Sequence, residues 1–190
     1  MRLFVALDIP AETREALESL IMRLRPKCPS ARWVRPEAMH ITLKFIGHAT
    51  SENVPAIREI LAKARSPEPI EMQFRGLGFF PNEKRPHVLW CGVHASPNTA
   101  ILASDLDRAL AKLGVESETR AFTPHLTLTR FEDGNRRGAQ SDSPVEIVNV
   151  AREMQTKHFG SLRTSEFHLF ESTTKPTGAE YTKLSTFHFT

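Results

Sequence analysis

Apolar positions along the chain switch between a two-residue and a helical period, and the switches outline short strands and helices in turn. Leu3 to Leu7 reads as a buried strand ended by Ile9-Pro10, and Pro10 suits the opening of a helix. Leu17, Leu20, Ile21 and Leu24 then recur at helical spacing until Pro26. Arg32-Trp33-Val34 predicts a short extended piece, and Pro36-Glu37 a turn into a strand from Met39 to Ile46, closed by Gly47. Val54, Ile57, Leu61 and Ala64 mark a second helix, with Pro67 and Pro69 beyond its end. Ile70 to Phe74 alternates as a strand, after which Gly76, Gly78 and Pro81 predict a loop holding Phe79 and Phe80. Val88 to Val93 is the next strand.

Ser96-Pro97 predicts an N-cap and a first helical turn. The expected buried stripe of that helix is Leu102, Leu106, Ala109, Leu110 and Leu113, and Gly114 ends it. Phe122-Thr123-Pro124 leads into a further strand. Asp133 to Pro144 is polar and glycine-bearing, which predicts a surface loop. Val145 to Met154 divides the signals: its β-branched residues suit a strand, while its spacing favours a helix. Glu166 to Glu171 reads as a strand, Lys175-Pro176-Thr177-Gly178 as a turn, and Tyr181 to Phe189 as the closing strand. Strands and helices mix without the strict alternation of a doubly wound sheet, so the fold class expected is α+β.

Two strands carry the same four-residue pattern. His40-Ile41-Thr42-Leu43 and His125-Leu126-Thr127-Leu128 each read histidine, aliphatic, threonine, leucine. In a strand, each histidine shares a face with its threonine while the aliphatic pair turns into a core. Each copy follows a helix preceded by a strand. That order suggests an internal duplication: two β-α-β lobes of antiparallel sheet with outer helices, related by pseudo-symmetry and holding both motifs in a central cleft. Residues 1–190 are then a single domain.

Composition narrows the function classes. With 40% hydrophobic and 25% charged residues the 190-residue chain has an ordinary globular make-up. A net charge of +3 tolerates an anionic partner without demanding one. Cys28 and Cys91 fit no metal or redox spacing, which favours a reducing cytoplasm. The N-terminus is interrupted too soon for a signal peptide, and no apolar run reaches the roughly 20 residues of a membrane span.

Two histidines facing one substrate can act as acid and base, because imidazole titrates near neutrality. Phosphodiester hydrolysis needs a proton removed on one side of phosphorus and one delivered on the other, together with donors for the non-bridging oxygens. Thr42 and Thr127 offer hydroxyls. Arg130, two residues past Leu128, is expected on the face of His125 if the strand continues, where its planar donor fork could grip phosphate. Each feature also has a plainer reading. A lone histidine in a strand is usually structural, the threonines could be simple β-formers, and Arg130 could be a solvated strand end. Phe45 is expected in the core, since its odd offset from His40 puts it on the opposite face unless a bulge intervenes. Phe79 and Phe80 are expected to pack. His48, His87, His94, His158, His168 and His188 lack zinc-ligand spacing, and Arg136-Arg137 is expected to be solvated.

At these motifs the sequence resembles the 2H phosphoesterase superfamily, and more narrowly the RNA 2′,3′-cyclic phosphodiesterases, or 2′-5′ RNA ligase family. The likeness runs through Arg2 to Pro10, Trp33 to Gly47, Arg85 to Trp90, Phe122 to Arg130, and Leu169 to Tyr181. The resemblance implies hydrolysis of a 2′,3′-cyclic phosphate at an RNA end to a 2′-phosphomonoester. His125 would accept a proton from water and His40 would donate one to the departing 3′-oxygen, with Thr42, Thr127 and Arg130 holding the phosphate. It implies no metal and no nucleotide cofactor, a monomer, and RNA partners that include tRNA fragments. Ligation of cyclic-phosphate and 5′-hydroxyl RNA ends uses the same residues, and a non-catalytic RNA- or nucleotide-binding module is the alternative outside enzymes.

Overall fold

The computed structural model describes residues 1–131, 145–175 and 178–189. The predicted loop from Asp133 to Pro144, with Arg136 and Arg137, and the Pro176-Thr177 part of the predicted turn lie outside those residues. In chain order the elements are β1 (Arg2–Asp8), α1 (Ala11–Leu24), β2 (Arg32–Trp33), β3 (His40–His48), α2 (Val54–Ala62), β4 (Ile70–Asn82) and β5 (Arg85–Ala95). They continue with α3 (Pro97–Ala111), β6 (His125–Arg130), α4 (Val145–Glu153), β7 (His158–Thr164), β8 (Glu166–Lys175) and β9 (Gly178–His188). Short 3-10 turns follow α1 and precede β3 and α2.

The strands form two antiparallel sheets, so the class is α+β as expected. The first sheet has the order β3-β1-β8-β9 and the second β2-β6-β5-β4-β7. The helices tie the sheets together. α1 leaves β1 of the first sheet and packs on β7 of the second, while α3 leaves β5 of the second and packs on β3 of the first. Leu17, Leu20, Ile21 and Leu24 all bury, as the helical spacing of α1 requires, and Leu3, Val5 and Leu7 meet them in the main core. Removing such side chains from water is the dominant favourable contribution to folding. Gly160 of β7 lets α1 approach closely: a Cβ there would lie 2.1 Å from the buried Thr13 hydroxyl, and its φ of +140° disfavours other residues.

Several expectations are corrected. Phe79 and Phe80 are not in a loop, because β4 continues through both glycines: Gly76 falls in a bulge between Phe74 and Leu77, and Gly78 pairs in register with Trp90. β7 is not among the expected strands. It is an edge strand in which Phe159 and Gly160 bury side by side, so it shows no alternating pattern. The stripe of α3 uses Thr99, Leu102, Ala103, Leu106 and Leu110, whereas Leu113 lies beyond the helix and is exposed. Ser96 occupies the N-cap position without capping through its side chain. Its hydroxyl instead accepts from the Glu71 amide at 3.0 Å and contacts Asn98. The divided stretch is a helix: Ile147, Val148 and Ala151 of α4 bury on one side.

Candidate active site

β3 and β6 carry the two motifs and touch each other where the sheets meet. The predicted alternation holds through both: His40, Thr42, His125 and Thr127 are half-buried, while Ile41, Leu43, Leu126 and Leu128 are buried. Then both strands depart from it in the same way. β3 skips Leu43 in its register with β1, and β6 skips Leu128 in its register with β5. A bulge adds one residue and reverses the parity of the residues that follow it, in β3 until the register shifts again at Ile46. Lys44 and Thr129 therefore turn inward, and Phe45 and Arg130 emerge on the histidine faces.

Those bulges revise two expectations. Phe45 is not core; it is 66% exposed, on the face of His40, with its ring 6.1 Å from that of Phe4. Arg130 reaches the face of His125 because of the bulge. Strict alternation would have left it with Leu128, so its predicted placement rests on the wrong reason. Arg130 pairs in register with Val88, two residues from Trp90, which pairs with Thr127. Lys44 is only 6% exposed and donates to Asp107 Oδ1 at 2.6 Å and to the Glu116 carbonyl at 2.5 Å. That ammonium holds the Asp107 carboxyl below its ordinary range.

The two imidazoles are held alike. His40 Nδ1 lies 2.8 Å from the Ala38 carbonyl, and His125 Nδ1 lies 2.9 Å from the Thr123 carbonyl. A carbonyl only accepts, so Nδ1 carries the hydrogen in each ring and Nε2 is left to exchange protons. Each ring also meets an aromatic edge to face: Tyr181 against His40 and Phe80 against His125, both at 5.0 Å and 89°. Beneath His40, Phe4 lies at 4.7 Å in a small cluster with Ala6 and Phe170. Burial pushes the His40 imidazole below the usual histidine value, opposed by the Ala38 carbonyl and the Asp8 carboxylate.

Around His125 the support is Trp90, 5.2 Å from Phe80. Its indole closely approaches Gly78, where a Cβ would come within 2.3 Å of the ring. A hollow of about 310 Å³ opens beside His125, lined by Arg75, Phe80, Trp90, Val93 and Thr123 among others. Among the described residues no group of three histidine, cysteine or acidic side chains is placed to hold a metal ion. Burial drives the Cys91 thiol up to about 12, which leaves it inert as a nucleophile.

Sequence reasoning missed Phe80, Tyr181 and His168. The first was hidden by glycines that predicted a loop, and the second lies in β9 at the end of the Leu169 to Tyr181 likeness, which assigned it no role. His168 is 3% exposed, on the same face as His40, and no spacing signal distinguishes it from the exposed histidines.

A family model described as LigT-like phosphoesterase matches residues 7–90 and 94–181. The chain belongs to the LigT-like phosphoesterase family. Among relatives of this phosphoesterase, an RNA 2′,3′-cyclic phosphodiesterase of Archaeoglobus fulgidus is 32% identical, over 98% of this chain and 99% of that protein. Of solved structures, TT0787 of Thermus thermophilus superposes with a TM-score of 0.79 at 28% identity, over 100% of this chain and 98% of the other. LigT of E. coli complexed with 3′-AMP gives 0.72 at 27% identity, over 100% and 98%. No helix among the described residues is long and apolar enough to cross a membrane.

Proposed function

We propose that this LigT-like phosphoesterase hydrolyses the 2′,3′-cyclic phosphate at an RNA end to a 2′-phosphomonoester, using His40 and His125 as a metal-independent acid/base pair. The observation that carries the reading is the matched commitment of both Nδ1 atoms to backbone carbonyls, which leaves two Nε2 atoms for proton exchange. His125 takes a proton from water as the water oxygen bonds to phosphorus. The bond from phosphorus to the 3′-oxygen breaks, and His40 protonates that oxygen, so one proton enters and one leaves the pair. The hydroxyls of Thr42 and Thr127 and the guanidinium of Arg130 hold the non-bridging oxygens, whose charge grows in the transition state.

RNA as substrate is supported by the activity named for the Archaeoglobus relative and by 3′-AMP bound to the E. coli one. The exposed ring of Phe45 adds a surface on which a base can stack. The matching bulges at Leu43 and Leu128 support reading the chain as a single domain built by internal duplication. Separate His40→Ala and His125→Ala variants test the roles. Each is expected to lose about a hundredfold or more of the hydrolysis rate, the usual contribution of a positioned acid or base, with unchanged circular dichroism. A folded variant within a few-fold of the parent rate overturns the assignment.

A further inference from the structure

The two histidines are supported alike by carbonyl and aromatic groups, yet the residues paired with them across the neighbouring strand differ in charge. Asp8 of β1 is the register partner of His40 across the antiparallel pair, so the two side chains stand on one face as direct neighbours. His125 has Gly92 at the corresponding place, its register partner on β5. Asp8 is itself gripped. Lys183 of β9 donates to its Oδ2 at 2.5 Å, and His168 of β8 brings Nε2 to 3.5 Å from the same oxygen. The His168 ring is fixed at its other nitrogen by the Thr186 hydroxyl, 3.0 Å away. Lys183 in turn lies over the Phe170 ring at 5.8 Å.

We propose that Asp8, held by Lys183 and His168, is a positioning residue that keeps the proton on His40 and so makes that histidine the donor. A carboxylate beside an imidazole stabilises the imidazolium, whereas the glycine beside His125 offers no counter-charge of its own. Burial drives His40 toward its neutral form, and the Ala38 carbonyl and then the Asp8 carboxylate oppose that drive. The groups facing this cluster include Glu166, 3.8 Å from His168 Nε2, and His188, 3.6 Å from Glu166. On β9, Ala179 accepts from Arg35 at 3.0 Å, and Tyr181 meets the His40 ring edge to face. Lys183 opposes Asp8: its charge anchors the carboxylate and moderates the field that reaches the imidazole.

This inference rests on the two-histidine reading above, but one arm of its test does not need turnover. The histidine ring signals are titrated by NMR in the parent, Asp8→Asn, Asp8→Glu and Lys183→Met proteins. His40 is expected to lose its proton at lower pH in Asp8→Asn and at higher pH in Lys183→Met, with Asp8→Glu near the parent and the His125 signals as internal control. In kinetics, the alkaline limb of kcat moves to lower pH in Asp8→Asn, and the rate at pH 8 falls about threefold or more. If Asp8→Asn does not fold, Lys183→Met still carries the test. A His40 titration unmoved in the folded variants overturns the role of Asp8. A parent protein that cleaves no cyclic phosphate overturns the proposed function instead.

Discussion

Lys44, buried on the strand that presents His40, pairs with the partly buried Asp107 of α3, 2.6 Å between Nζ and Oδ1. The pair joins α3 to β3 at the bulge, and its carboxylate also accepts the Glu118 amide at 3.0 Å. Removing the carboxylate leaves the Lys44 ammonium buried without a counter-charge, with the Glu116 carbonyl still accepting from it, and loss of a buried charge's counter-ion typically costs several kcal/mol. Asp107→Ala is therefore expected to lower stability by about 3 kcal/mol in urea unfolding. The carboxyl titrates below its unfolded value, so its stabilisation is complete above the unfolded pKa and disappears as pH falls through the folded one. The difference between parent and variant should accordingly shrink in acid.

Thr129 occupies the matching position in the second motif and behaves in the opposite way. It is 0% exposed, and its hydroxyl finds no hydrogen-bond partner among the described residues. Thr129→Val keeps the shape and removes a buried polar group. Stability is expected to hold or to rise by up to about 1 kcal/mol. A clear loss in urea unfolding would mean that the hydroxyl is satisfied.

Phe45 separates binding from folding. Because it is largely exposed, Phe45→Ala should change stability by less than about 0.5 kcal/mol. Loss of a stacking surface is worth on the order of 1–3 kcal/mol per base, so KM for a cyclic-phosphate RNA end should rise about fivefold or more while kcat holds. Phe45→Trp should restore it. An unchanged KM would assign the ring to packing against Phe4 alone.

Gly78 is the position where a single methyl group should disturb the site at a distance. Gly78→Ala pushes against the Trp90 indole, which supports Phe80 and through it the His125 ring. In a Trp33→Phe background, Trp90 fluorescence should shift and kcat should fall. A normal spectrum and rate would show that the indole has room to move.

The sequence made the first four residues of each motif legible, because histidine, threonine and two aliphatic positions alternate as a strand requires. It did not make the fifth and sixth legible. Lys44-Phe45 and Thr129-Arg130 take their faces from a bulge, and the signal for a bulge lies in the register with β1 and β5 rather than in the strand itself. The same limit hid β7, whose buried pair breaks alternation, and the end of β4, whose glycines serve a bulge and an indole rather than a loop. His168 was invisible for another reason. Its burial comes from β1 and β9 on either side, and neither is near it in sequence. Helices were read more safely because their stripes lie within one segment, although Leu113 shows that the stripe does not mark the last turn.

Acid/base catalysis by the pair predicts a bell-shaped dependence of kcat/KM on pH, since one imidazole must be charged and the other neutral. The most direct measurement is hydrolysis of a short RNA ending in 2′,3′-cyclic phosphate in the presence of EDTA, with the product isomer identified. The account predicts turnover to the 2′-phosphate, reduced about a hundredfold or more in His40→Ala and in His125→Ala. Folded protein that binds the RNA without turnover, or a folded variant whose rate stays within a few-fold of the parent, would contradict it.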